Sequence, residues 1–289
     1  MEKMIDFKCT YDNSVGISEE VTKQLKLSFP DAYKYWKSIA LISKSLKEYD
    51  NTCFCELPFC HTLEAEAMGG IINYGNEKIG PRSKKYVCKT ADDVLRLKSI
   101  DFTKGRISGV LKACTYLRNE GENVVLQISG PFTILNVLMD ITNIFKIFRK
   151  EPEKMKQIFD KLENEILNFI EEGQKAGANL ISFADSFVSV NILGPKMMKD
   201  SIDMFTYSFL KKAEKIINDN TVLLLCPKTT FALIGTNKAS FYDIKLSKPM
   251  KYRQGCIETI GKAKIIGQMC IKNINYELDE GIIKGINLM

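Results

Sequence analysis

Short apolar runs alternate with longer amphipathic stretches along this chain of 289 residues. The apolar runs cover 53–59, 124–128, 180–183, 222–226, 240–244 and 264–269. Runs of this length with little polar alternation read as strands buried on both faces. Between them, apolar residues recur at helical spacing. Met155, Ile158, Phe159, Leu162, Ile166, Phe169 and Ile170 form one such stripe, and Ile202, Phe205, Phe209, Leu210, Ala213, Ile216 and Ile217 form another. Each stripe predicts a helix with one face packed on a core.

Repeated strand-then-helix units predict a parallel sheet with crossover helices. Six strands with long helices between them favour an α/β fold of the (β/α)₈ TIM-barrel type, in a single domain over 1–289. The two ends depart from an ideal barrel. Before Ser18 there is only a short strand-like run at 4–9. Residues 275–288 read as two alternating runs around Asp279-Glu280-Gly281, which predicts a hairpin. A last strand with its helix is not visible. The expected barrel is therefore atypical or shortened at its N- and C-terminal strands.

Composition narrows the class. A hydrophobic fraction of 45% fills a sizeable core. The net charge of +6 is spread out, with lysines alternating with acids over 151–175, so it reads as solvated faces and not as a nucleic-acid footprint. Arginine occurs only at Arg82, Arg96, Arg106, Arg118, Arg149 and Arg253. Nine cysteines in a chain this long do not require a disulfide framework. Met1 leads straight into a charged segment without a signal-peptide pattern, and no apolar run reaches membrane-spanning length. The expectation is a cytoplasmic protein with reduced thiols and no membrane or nucleic-acid partner.

The densest chemistry lies in 54–69, where Cys60, the only histidine (His61), Glu64 and Glu66 follow the end of a predicted strand. In β/α architectures that junction is where catalytic groups gather. Two readings stand side by side. Thr62 caps a short helix and both glutamates sit in its first turns, where the macrodipole favours anions; or a carboxylate points into the barrel mouth as proton acceptor or metal ligand. On the second reading Glu64 and His61 are the candidate catalytic residues and Cys60 a substrate contact.

Further thiols, Cys226 and Cys270, follow other predicted strands. A buried cysteine is usually a small apolar side chain. Strand ends in a parallel barrel share one face, so Cys60, Cys226 and Cys270 would ring one mouth, where soft sulfur with one imidazole or carboxylate suits zinc and leaves a fourth, exchangeable position; Cys226 and Cys270 with His61 are the candidate ligands. Ser129-Gly130-Pro131 reads either as a tight strand-to-helix turn or as a place where backbone approaches a ligand at Gly130. Asp185, with Ser186, stands just past a predicted strand and either caps the next helix or binds substrate.

Five segments in order resemble the uroporphyrinogen decarboxylase superfamily, which includes the methylcobalamin:coenzyme M methyltransferases. They are Leu-Ser-Phe-Pro-Asp-Ala-Tyr at 27–33, Pro-Phe-Cys-His-Thr-Leu-Glu-Ala-Glu-Ala-Met-Gly at 58–69, Gly-Pro-Phe-Thr at 130–133, Ala-Gly-Ala-Asn-Leu-Ile-Ser-Phe-Ala-Asp at 176–185 and Ile-Leu-Gly-Pro at 192–195. The resemblance implies a (β/α)₈ barrel with its cleft at the strand C-terminal ends. The decarboxylase branch implies an N-terminal arginine motif and an essential aspartate. No arginine precedes position 82, and the aspartate's place falls near Cys60. The methyltransferase branch fits better around 58–69. It implies a zinc ion that binds a thiol substrate as thiolate, and a methylcorrinoid as methyl donor. Its His-x-Cys motif falls on Leu224 and Cys226, so the thiol matches and the imidazole does not. Its third ligand, a cysteine, normally lies further along than Cys270.

The leading expectation is a corrinoid-linked methyltransferase with a rearranged zinc–thiolate site. Its partners would be a corrinoid protein carrying the methyl donor and a small-molecule thiol or pterin acceptor, with a homodimer left open. The alternatives are a non-catalytic barrel that binds a corrinoid or small ligand, and a decarboxylase of a smaller acid whose carboxylate meets Lys228 or Arg82.

Overall fold

The computed structural model describes residues 7, 9, 16–185 and 187–289. The chain divides into two compact units, Asp12–Ala178, and Asn179–Met289 together with Met1–Tyr11.

The first unit runs α1 (Glu19–Leu25), α2 (Trp36–Tyr49), β1 (Cys55–Leu57), α3 (Leu63–Ala67), β2 (Ile71–Asn73), β3 (Arg82–Lys85), α4 (Ala91–Leu95), α5 (Gly105–Asn119), β4 (Val124–Ser129), α6 (Pro131–Leu138), α7 (Ile141–Lys150) and α8 (Pro152–Lys175). Strand β1 pairs with β4 in parallel, Cys55 opposite Val124 and Leu57 opposite Leu126. All six residues of β4 are buried, as its unbroken apolar run predicts. Local chemistry sets the helix starts. Thr90 and Asp93 form a reciprocal capping box on α4. Asp140 accepts the Thr142 N–H at 2.8 Å to open α7. Both α6 and α8 begin on a proline, whose fixed φ suits the first helical position. The predicted stripe of α8 is buried from Met155 to Ile170.

The second unit runs β5 (Leu180–Ala184), α9 (Val190–Ser201), a π-helical turn over Ile202–Thr206, α10 (Tyr207–Ile216), β6 (Val222–Leu225), α11 (Pro227–Gly235), β7 (Ala239–Lys245), β8 (Met250–Lys251), α12 (Tyr252–Glu258), β9 (Ile265–Ile266), β10 (Glu277–Leu278) and β11 (Ile282–Leu288). Strands β5, β6 and β9 are parallel neighbours. Strand β11 then runs antiparallel to both β9 and β7.

Three expectations change here. The hairpin over 275–288 does not form. Its turn does, with Gly281 at φ 62° and its N–H donating to the Leu278 carbonyl at 2.9 Å. But β10 pairs with β8, and β11 pairs with β7 and β9. The run at 240–244 is not a doubly buried parallel strand; β7 is antiparallel and half of it faces outward. The run at 264–269 shrinks to the two residues of β9. The strand expected over 4–9 lies outside the described residues except for Phe7 and Cys9; the Phe7 ring stacks on Phe231 at 6.3 Å.

Gly285 of β11 sits directly opposite Tyr242 of β7. A Cβ at Gly285 would lie 2.2 Å from Tyr242 Cζ and 2.5 Å from Cε1. The tyrosine ring covers the glycine across the strand pair. Gly285→Ala is therefore expected to destabilise the protein by about 1 kcal/mol, the low end of overpacking costs, because the Tyr242 ring is 41% exposed and its outer end can turn aside. Adding Tyr242→Ala to it should restore part of that loss. Urea midpoints of the parent, single and double variants check this, and an unchanged single variant would contradict it.

Candidate active site

In the first unit, the segment after β1 carries its polar side chains inward. Cys60, Thr62 and Glu64 are buried, and His61 and Glu66 are half-buried. Thr62 stands at the N-cap position of α3, yet its side chain makes no capping bond. The hydroxyl is taken by Arg106, whose Nη2 donates to Thr62 Oγ1 at 2.7 Å.

Arg106, in the first turn of α5 and 7% exposed, is the hub of this segment. Its Nε donates to Glu66 Oε2 at 2.7 Å, and Nη2 approaches the same oxygen at 2.6 Å. Its Nη1 donates to Cys60 Sγ at 3.1 Å. Cys60 Sγ lies 3.2 Å from Thr62 Oγ1. Tyr74 donates its phenol proton to Glu66, and its ring centre lies 5.5 Å from the guanidinium carbon. Burial alone would loosen the guanidinium proton. The neighbouring Cys60 and Glu66 more than offset it and hold the proton above its ordinary value. Burial, then the bond to Glu66, pushes the Tyr74 phenol up to about 12. A cavity of about 370 Å³ opens beside this ion pair, lined by Leu63, Glu66, Lys98, Lys104, Arg106 and Ile107 among others.

Glu64 projects from α3 toward the C-terminal end of β4. It is 2% exposed, and the Ser129 N–H donates to its Oε1 at 2.6 Å. Burial raises its carboxyl above the usual range, while the Ser129 bonds and the more distant Arg106 charge pull the other way. Ser129 Oγ lies 3.5 Å from His61 Nδ1. Ser129 therefore stands between an imidazole and a buried carboxyl of raised proton affinity. A pair of proton-binding groups with a hydroxyl between them is suited to accept and pass on a proton.

The remaining expected site residues are placed as follows. Gly130 is the buried residue before α6, and its carbonyl accepts the Ile134 N–H at 3.0 Å. In the second unit, Asp185 is buried just past β5, and its carbonyl accepts the Val188 N–H at 3.1 Å. Ser186 lies outside the described residues. Cys226 is the residue before α11, and its N–H donates to the Phe183 carbonyl at 2.9 Å. The residue is half-buried overall, yet its thiol is desolvated enough to be pushed up to about 12, with Cys270 and Cys9 adding to the shift. Cys270 does not end a strand. Strand β9 stops at Ile266, and Cys270 lies in the turns beyond it, half-buried.

Zinc ligation calls for deprotonated thiols and a full donor set. Among the described residues, no three Cys, His, Asp or Glu side chains gather into a group that could hold a metal ion. Leu224, where the resemblance places an imidazole, is a buried aliphatic side chain with no donor atom. The donor set as arranged does not fit a three-ligand zinc site.

Comparison with known proteins locates this architecture. The family model for uroporphyrinogen decarboxylase matches residues 17–248. The chain belongs to the uroporphyrinogen decarboxylase family. It is 23% identical over 254 residues to the methylcobamide:CoM methyltransferase MtaA of Methanosarcina barkeri, covering 86% of this chain and 74% of that protein. It is 24% identical over 219 residues to the methylcobamide:CoM methyltransferase MtbA of Methanosarcina acetivorans, covering 74% and 63%. A solved methyltransferase from Methanosarcina mazei superposes with a TM-score of 0.63 at 23% identity, covering 75% of this chain and 65% of that one. The chain thus spans about two-thirds to three-quarters of these relatives. The α/β fold of TIM-barrel type expected from the sequence is thereby shown. Among the described residues, no helix is long and apolar enough to cross a membrane.

The sequence does not point to Arg106 or Tyr74 at the site, and it points to Ser129 only as the first residue of the turn at Gly130. One signal for Arg106 is present in the sequence once α5 is placed. A cation in the first turn of a helix opposes the macrodipole, so a tertiary partner must compensate it.

Proposed function

We propose that this chain transfers a methyl group from a methylcorrinoid, carried by a partner protein, to a small-molecule thiol, acting as one domain over 1–289. The observation that carries the reading is the buried Glu64, raised in proton affinity and linked through Ser129 to His61, in a family whose similar members are named methylcobamide:CoM methyltransferases. The chemistry requires such a group. A sulfur lone pair forms the new S–C bond, the Co–C electron pair stays with the corrinoid, and the thiol proton must leave. His61 takes that proton from the acceptor, and the Ser129 hydroxyl passes one on to the Glu64 carboxylate, which returns His61 to its neutral form. Cys60, Gly130, Asp185 and Ser186 are the proposed substrate contacts.

The direct test mixes the purified protein with methylcob(III)alamin and a small thiol. Expected are the visible spectrum of cob(I)alamin and the methyl thioether by mass spectrometry. A pterin in place of the thiol tests the other acceptor class. Release of CO₂ from small acids, with no methyl transfer to either acceptor, would sink the reading. The zinc role expected of Cys226, Cys270 and His61 stands outside this reading, because the donors as arranged do not fit it, and it has a separate test. About one zinc per chain, lost in Cys226→Ser, supports the role; an active protein without zinc removes it.

A further inference from the structure

We infer that Arg106 is the positioning residue of this site: its guanidinium fixes the conformation of segment 60–66 and so sets His61 and Glu64 about Ser129. The inference rests on the reading that those two groups handle the acceptor's proton.

Arg106 has no local reason to be where it is. It is buried in the first turn of α5, where the helix dipole opposes a cation. Its donors go to residues 60, 62 and 66, which bracket both His61 and Glu64 in sequence. Leu63, Ala65 and Met68 bury the segment's apolar side and the Ser129 N–H holds Glu64, while Arg106 is the shared partner of the side chains at 60, 62 and 66. Helix α3 has five residues, far below the length at which a helix sustains itself. Its N-cap hydroxyl is spent on Arg106 and caps nothing. Tyr74 closes the network from another side by donating to Glu66.

Stability does not explain the arrangement. Desolvating an arginine and a carboxylate offsets most of their attraction, and well-packed apolar replacements of buried ion pairs are often neutral. What such a pair does supply is one geometry, because the planar guanidinium presents its donors in a fixed fork. Lysine, with a single ammonium, cannot reach Cys60, Thr62 and Glu66 together.

The test uses the chain's only histidine, which gives a single imidazole resonance in proton–carbon NMR. The variants are Arg106→Lys and the neutral pair Arg106→Met with Glu66→Gln, each examined for urea midpoint, the His61 resonance and steady-state methyl transfer. For the neutral pair, the urea midpoint should stay close to the parent while the His61 resonance moves and kcat falls about 10²-fold at little change in KM, as for a misplacement of about 1 Å. Arg106→Lys should move the resonance in the same direction and lower kcat about tenfold, and it carries the test if the neutral pair does not fold. A folded variant with the parent His61 resonance and parent kcat overturns the inference. A displaced resonance in a protein whose parent shows no methyl transfer supports the positioning role and overturns the methyl-transfer reading instead.

Discussion

Glu64→Gln is expected to lower methyl transfer about 10²- to 10⁴-fold while leaving the protein at least as stable as the parent at pH 8. The two effects have one cause. Glutamine keeps the shape of glutamate, and its Oε1 still accepts the Ser129 N–H that now donates to Glu64 at 2.6 Å. What it removes is a group able to bind and release a proton. In the parent, burial raises that carboxyl above its ordinary value, so the folded state favours the protonated form.

The sign of the pH dependence follows. Below the ordinary carboxylate range, Glu64 is protonated in both folded and unfolded chains and adds no penalty. As pH rises toward the higher folded value, the unfolded chain releases its proton first, and parent stability falls relative to the variant. Above the folded value the penalty is complete, because the folded chain then buries a charge. The difference in urea midpoint between Glu64→Gln and parent should therefore be small at pH 4 and grow in favour of the variant toward pH 8. A variant that is inactive but loses ground as pH rises would show that Glu64 is a structural anion held for Arg106. Full activity in a folded variant would remove Glu64 from the chemistry.

Sequence legibility tracked burial and contact range. Strands β4, β5 and β6 were readable because each is an almost unbroken apolar run that is almost wholly buried. The C-terminal strands were not. The turn at Gly281 is visible in sequence, but the partners of β10 and β11 are set by β7, β8 and β9, which nothing in 275–288 encodes. The site divides in the same way. Cys60, His61, Glu64 and Glu66 crowd one stretch and announce themselves. Arg106 meets Cys60 across 46 positions, and Ser129 meets Glu64 across 65. No local pattern marks those pairs. Thr62 shows the trap in local reasoning: it occupies the N-cap that its residue type predicts, and its hydroxyl serves a tertiary contact. Leu224 and Cys226 stand at the strand end that their apolar run predicts; the desolvation that pushes the Cys226 thiol up is a tertiary effect with no local pattern.

Phe209→Ala is expected to destabilise the protein by about 3–5 kcal/mol. Phe209 is fully buried in α10. Its ring lies 4.9 Å from that of Phe183 in β5 and stacks at 5.2 Å on Phe205 in the π-helical turn. Removing it deletes a large buried apolar surface, leaves a cavity between helix and strand, and ends two aromatic contacts worth about 0.5–1.5 kcal/mol each beyond burial. Phe209→Leu keeps most of the apolar volume and should lose distinctly less, because the cavity is smaller. Urea denaturation of the three proteins gives the order: parent, leucine, alanine. An alanine variant with the parent's urea midpoint would show that the Phe209 ring does not carry this part of the core.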